Sequence, residues 1–316
     1  MRTALLFLAL ALAFAAAVLL PFGLLRSVDP DLAWSLIVEL RLPRALLALA
    51  YGATLGASGA AVQALFANPL ASPDLTGTTS GAALGAVVTA YLFGFAAPVA
   101  LSIGSVAGAL GALALLLALA GPKAETATLL LSGLAISALA GALTTLALAL
   151  APSPFAFYDA YDWLMGSLID RSLDQAAFAA LPAVVTIALL LRLGPALDRL
   201  SLGEEVAQSL GHDVARLRLQ VICLTALGVG ACVAICGAIG FVGLIAPIFA
   251  RRLTRGHPGR AILPAAAIGA LLLILADLAV RLAPLGRTLP IGVVTALIGA
   301  PFFLWLVAHM RWRLGR

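Results

Sequence analysis

The sequence predicts an all-α fold, a polytopic membrane bundle of about ten transmembrane helices, on three observations. Of 316 residues, 63% are hydrophobic and only 10% are charged, against roughly 25% charged in soluble domains. The mean hydropathy is +1.12. The 14 acidic and 19 basic residues fall mainly between long apolar runs, as in a chain that crosses hydrocarbon repeatedly and keeps charge in its connections. A soluble domain of this length would need far more polar surface to face water.

The first run, from Thr3 to Leu25, carries no charge and exceeds the roughly 20 apolar residues a span requires. A cleaved signal peptide is the rival reading, because Arg2 precedes an apolar run containing Ala13-Phe14-Ala15, but signal cores run only about 7 to 15 residues. Further apolar stretches cover about 45–66, 77–95, 98–120, 127–151, 176–193, 217–239, 240–250, 261–283 and 291–308. The stretch 240–250 is short enough to suit a half-helix or a buried segment.

Ten crossings that start inside place 13 basic residues in the cytoplasm: Arg2, Lys123, Arg192, Arg199, Arg216, Arg218, Arg251, Arg252, Arg255, Arg260, Arg311, Arg313 and Arg316. Six remain outside: Arg26, Arg41, Arg44, Arg171, Arg281 and Arg287. Cytoplasmic connections concentrate Lys and Arg, so this split predicts an even number of crossings and both termini in the cytoplasm. The pI of about 9.6 therefore reads as basic loops meeting anionic lipid, with no nucleic acid as partner.

Small residues recur at four-residue spacing in Gly77-xxx-Gly81-xxx-Gly85 and Gly104-xxx-Gly108, which lets helix backbones approach closely where water drives nothing together. Gly52, Gly59, Ala60 and Pro69 match Gly230, Gly237, Ala238 and Pro247 at a constant offset. On the topology above those segments cross in opposite senses, so 41–151 and 216–312 are expected to form an inverted repeat within a single transmembrane domain, 1–316.

No catalytic or metal constellation emerges. His212, His257 and His309 sit in or beside basic connections without a carboxylate or Cys at ligand spacing. Cys223, Cys232 and Cys236 share one apolar segment and read as small packing residues. Lys123 is the sole lysine and no phosphate-binding Gly-rich loop precedes it, so the chain is expected to bind no nucleotide or other cofactor. Asp277 is the only acid deep in a span, with Arg281 one helical turn on as its expected partner.

The connection from Pro195 to Arg218 is too polar to enter lipid. Ser201 and Glu204 have the spacing of a capping box, Val206, Ala207 and Leu210 form a short apolar stripe, and Gly211 can close the helix. Such an element either lies on the lipid surface or docks a cytoplasmic motor.

This stretch resembles the coupling segment of the iron-chelate and vitamin B12 uptake permeases of bacterial ABC importers. Other motifs of that family are similar to Arg41-Leu42-Pro43-Arg44, the segment Gln63-Ala64-Leu65-Phe66-Ala67-Asn68-Pro69-Leu70-Ala71-Ser72-Pro73-Asp74, and Trp163-Leu164-Met165-Gly166-Ser167-Leu168. Gly237-Ala238-Ile239-Gly240-Phe241-Val242-Gly243-Leu244-Ile245 and the run from Leu289-Pro290-Ile291-Gly292 to Pro301 complete the series in order. Two positions depart from it: Ile248 follows Pro247 where the family commonly has His, and Thr288 stands where Glu usually precedes Leu-Pro.

The resemblance implies a type II ABC importer permease, paired with a second copy or a paralogous permease. Two ATPase subunits below would carry ATP and Mg, and a substrate-binding protein would sit above. The cargo would be a ferric siderophore, haem or cobalamin, and the subunit itself would catalyse nothing. Segment 196–215 would couple to the ATPase through Ser201, Gly203, Glu204, Glu205, Val206, Ala207, Leu210 and Gly211. Arg41, Arg44 and Arg281 would dock the binding protein, the rival reading being helix-end anchors with Asp277 and Glu39 as partners. Thr126 and Thr128, next to Lys123, would form a cytoplasmic gate or merely cap a helix. A self-contained ion-coupled secondary transporter is the alternative function, and a membrane enzyme lacks the clustered groups it would need.

Overall fold

The computed structural model describes residues 2–20, 29–91, 98–121, 126–282 and 289–314, and every regular element among them is a helix. Arg26, Lys123, Arg287, Thr288 and Arg316 lie outside the described residues. Where no water is available, each backbone N–H and C=O must pair within its own segment, and a helix achieves this.

The chain begins with α1 (Arg2–Leu19) and α2 (Pro30–Ser35), which passes through a π-helical turn (Leu36–Arg41) into α3 (Leu42–Leu65). A 3₁₀ turn (Pro73–Thr76) leads to α4 (Thr78–Tyr91), α5 (Pro98–Ala120), α6 (Thr126–Ala149) and α7 (Pro154–Leu164). Then come α8 (Leu173–Leu200), α9 (Glu204–Ser209), α10 (Val214–Cys236), α11 (Val242–Leu253), α12 (Ile262–Leu282) and α13 (Ile291–Leu314).

Among the described residues, six segments are long and apolar enough to cross a bilayer: Pro30–Leu65, Val99–Ala120, Ala127–Ala149, Leu173–Leu200, Val214–Cys236 and Ile262–Leu282. Thr3–Leu19 and Ile291–Leu306 are shorter apolar helices, and α4 and α11 have 14 and 12 residues. Among the described residues each predicted apolar stretch overlaps one of these helices, and length with composition qualifies six.

The structure differs from the sequence expectation in two places here. Helix begins at Pro30, well before the stretch expected from 45, because Asp29 accepts the Asp31 N–H at 3.0 Å and Pro30 supplies a helical φ. The short α7 had no apolar run to announce it; Ser153 caps it by accepting the Ala156 N–H at 3.1 Å, with Pro154 next.

Helix α3 is the buried axis, packed by α8, α10, α11 and α12, while α5, α6 and α8 stand outermost and expose leucines such as Leu110, Leu131, Leu146 and Leu181. The predicted small-residue pairs meet one another. A Cβ on Gly85 would lie 2.1 Å from the Gly104 carbonyl oxygen, and one on Gly108 would lie 2.1 Å from that of Gly81. Gly77 does a different job: with φ +77 it ends the 3₁₀ turn, a conformation that glycine adopts at no steric cost.

Candidate functional site

The central feature is a broken helix pair. Helix α10 stops at Cys236, residues 237–241 are non-helical, and α11 starts at Val242. Gly237 has φ +72, and a Cβ there would sit 1.9 Å from the Trp163 carbonyl oxygen. Backbone groups freed by the break are met by three hydrogen bonds from two neighbours. Ser167 donates its N–H to the Cys236 carbonyl at 2.8 Å, and the buried Tyr51 hydroxyl donates to the Gly237 carbonyl at 3.1 Å while accepting the Ile239 N–H at 3.3 Å. Gly292 closes the junction, because a Cβ would meet the carbonyl oxygens of Met165 at 2.3 Å and Ala238 at 2.8 Å. The motifs around residues 163–168, 237–245 and 289–292 are thus one place in space, where non-helical backbone is packed between helices.

Below the break, Pro247 has no N–H for the Gly243 carbonyl four residues back. That oxygen points at Gly59, where a Cβ would lie 1.9 Å from it. Gln63, fully buried, donates Nε2 to the Leu244 carbonyl at 3.2 Å and so ties α3 to α11. Phe249, beside the Ile248 departure, stacks on Phe302 of α13 with ring centroids 5.9 Å apart.

At the other end of α3 three arginines converge. Arg44 Nε lies 2.7 Å from Asp277 Oδ1, and Arg281 Nη1 lies 4.0 Å from Asp277 Oδ2. Arg281 also donates to the carbonyls of Ala17 at 2.6 Å and Leu20 at 2.7 Å, and Arg41 donates to that of Leu19 at 3.2 Å. The cluster therefore caps the C-terminus of α1, whose last carbonyls have no intrahelical donors and whose dipole favours cations. Arg44 is the closer partner of Asp277, where the sequence pointed to Arg281. Glu39 makes no ion pair among the described residues. Among those residues Arg44 bonds through Nε alone, which leaves its terminal N–H groups for another acceptor.

At the opposite end lies α9. The expected Ser201–Glu204 capping box is not formed. Ser201 ends α8 and donates its hydroxyl to the Asp198 carbonyl at 2.6 Å, so Gly203, with φ +109, is the residue before α9. The expected closure at Gly211 is present: Gly211, at φ +85, donates to the Gln208 carbonyl at 2.9 Å and His212 to that of Ala207 at 3.1 Å, the paired bonds of a Schellman end.

Ala207 faces inward at 1% exposure, whereas Val206 (44%) and Leu210 (53%) face out. Glu204 pairs with Arg218 of α10, Arg199 of α8 contacts His212, and Glu205 lies beside Glu204 in the first turn. Asp198 accepts the Gly259 N–H at 2.8 Å, which joins this end of α8 to the α11–α12 connection. Thr126 opens α6, and Thr128 is exposed in its first turn.

Long apolar spans, a backbone break bridged by neighbouring elements and a polar helix clamped at one end are the build of a multi-pass membrane protein. The FecCD transport family matches residues 3–309, and the chain belongs to that family. It is 41% identical to the vitamin B12 import system permease protein BtuC of Vibrio cholerae, over 92% of this chain and 86% of that one. It is 39% identical to the Fe(3+)-citrate import system permease protein YfmE of Bacillus subtilis, over 86% of this chain and 81% of the relative. A solved metal-chelate type ABC transporter in an inward-facing conformation superposes with a TM-score of 0.85 at 34% identity, covering 96% of this chain and 97% of the other. The chain is the permease subunit of an ABC importer, a multi-pass protein of the inner membrane, and ATP hydrolysis belongs to separate ATPase subunits.

Proposed function

We propose that two such permeases, either identical copies or close paralogues, carry a large metal chelate inward along the pathway between them. The cargo class is a ferric siderophore, haem or cobalamin. Two ATPase subunits, holding ATP and Mg, dock at α9, and an extracytoplasmic binding protein delivers the cargo at the Arg41–Arg44–Arg281 end. Ten crossings, with 41–151 and 216–312 as inverted repeats, leave both termini on the α9 side, in the cytoplasm. Thr126 and Thr128 stand at the same end of the bundle as a gate.

The exposed apolar pair Val206 and Leu210 carries this reading, because it tops a short helix clamped to α8 and α10. Leu210→Asp places a charge in the apolar contact with the motor. The expected outcome is a permease that stays folded while ATP-driven uptake falls at least about tenfold, roughly the effect of 1.4 kcal/mol lost at an interface. Unchanged uptake and normal copurification of the ATPase would assign α9 to the lipid surface.

The outer cluster sets three cations against one carboxylate, and the open fork of Arg44 suits a carboxylate of the binding protein. Changing Arg44→Gln together with Asp277→Asn removes the pair as a unit and so spares the fold. Association of the binding protein should then slow and its salt dependence flatten. A native on-rate and salt slope would leave the cluster with the seating of α1 alone.

A further inference from the structure

We infer that the α9 end of the bundle holds an anionic phospholipid in the groove between α5, α6 and α10. The groove encloses about 350 Å³ and is lined by Leu117, Leu129, Leu219 and Ile222, with Arg216 and Arg218 among its walls. Leu129 and Ile222 are buried and form its floor, while Leu219 is 44% exposed and leaves it open to the side.

The chemistry changes along α10 in the order a phospholipid presents. Arg216, Leu219 and Ile222 follow one another at three-residue steps on one face, and each step rises about 4.5 Å along a helix. A cation therefore stands about one turn above an apolar slot, as a phosphate stands above its acyl chains. A free inorganic anion would gain nothing from leucine and isoleucine walls, and a neutral headgroup would gain nothing from the arginines.

Arg216 is exposed and makes no ion pair among the described residues, its backbone N–H being bonded to Asp213 at 3.0 Å. Arg218 pairs with Glu204, so the bound phosphate and the first turn of α9 share a cation. Basic pockets between spans on the cytoplasmic side are suited to acidic headgroups, and the assignment of sides rests on the orientation proposed above.

The test uses the full-length chain, delipidated in a neutral detergent and titrated with phosphatidylglycerol or phosphatidylcholine of the same acyl chains, bound lipid being counted by native mass spectrometry. Phosphatidylglycerol should bind at least about fivefold tighter than phosphatidylcholine, the factor one basic residue contributes at an anionic surface. Arg216→Gln should remove that preference without changing phosphatidylcholine binding, Arg216→Lys should retain it, and Leu219→Trp, which fills the slot, should weaken both lipids. Equal phosphatidylglycerol affinity in the wild type and Arg216→Gln would overturn the inference, as would displacement of the lipid by millimolar inorganic phosphate. The readout needs neither ATPase nor transport, so its failure would leave the importer reading untouched.

Discussion

Asp277→Ala should cost roughly 3–5 kcal/mol of stability, the penalty for leaving a buried cation without its partner. Asp277 is 1% exposed and lies 2.7 Å from Arg44, whose side chain is 16% exposed, so the carboxylate is the main compensation for a largely desolvated cation. Arg281, held 4.0 Å away, would add repulsion toward Arg44 instead of sharing the acid. The same arginine holds the α1 carbonyls at Ala17 and Leu20, so the seating of α1 should loosen too. The expected readout is a sharp fall in folded, monodisperse protein and in melting temperature in detergent. The double change Arg44→Met with Asp277→Leu should recover most of the loss, because an apolar pair of similar volume avoids desolvating the ions at all. A single Asp277→Ala variant as stable as the parent would show that the pair is dispensable.

Gly59→Val should be nearly as damaging for a steric reason. The Gly243 carbonyl, which has no N–H donor at Pro247, occupies the space a side chain would need, 1.9 Å from the ideal Cβ position. Backbone cannot swing aside as a long side chain can, so α3 and α11 would have to separate and Gln63 would lose its bond to Leu244, 3.2 Å long. Overpacking costs about 1–3 kcal/mol, with the broken bond to be added. Gly111→Ala is the matched control, since nothing lies within 4 Å of its Cβ position. It should be neutral or stabilise by up to about 1 kcal/mol, because glycine is the poorer helix former. Equal melting temperatures for the two variants would contradict the close approach of α3 and α11.

These effects show which parts of the molecule were legible in the sequence. Apolar run length revealed the long helices, and four-residue glycine spacing marked tight helix packing, which the structure places between α4 and α5 at Gly81, Gly85, Gly104 and Gly108. The closing role of Gly211 could be read from its place after a short amphipathic turn. Contacts within one turn are visible in this way, whereas contacts across the bundle are not. Asp277 was matched to Arg281 because four residues separate them, yet Arg44, its closer partner, lies 233 residues away. Tyr51 sits 186 residues from the Gly237 carbonyl it satisfies, and a tyrosine in an apolar run carries no mark of that duty. The capping box at Ser201 failed because α8 continues through Leu200 and claims the serine for its own end. Families of motifs brought the rest within reach: Trp163 to Leu168, Gly237 to Ile245 and Leu289 to Gly292 look unrelated along the chain and form one junction in space.

The claim that energy enters through α9 from a separate motor is tested most directly by uptake into sealed vesicles containing the permease and its ATPase, with the binding protein loaded with labelled chelate outside. Uptake should require ATP on the α9 side, stop when the ATPase is omitted, and persist when proton and sodium gradients are collapsed. Uptake driven by an imposed ion gradient in vesicles holding the permease alone would contradict the account.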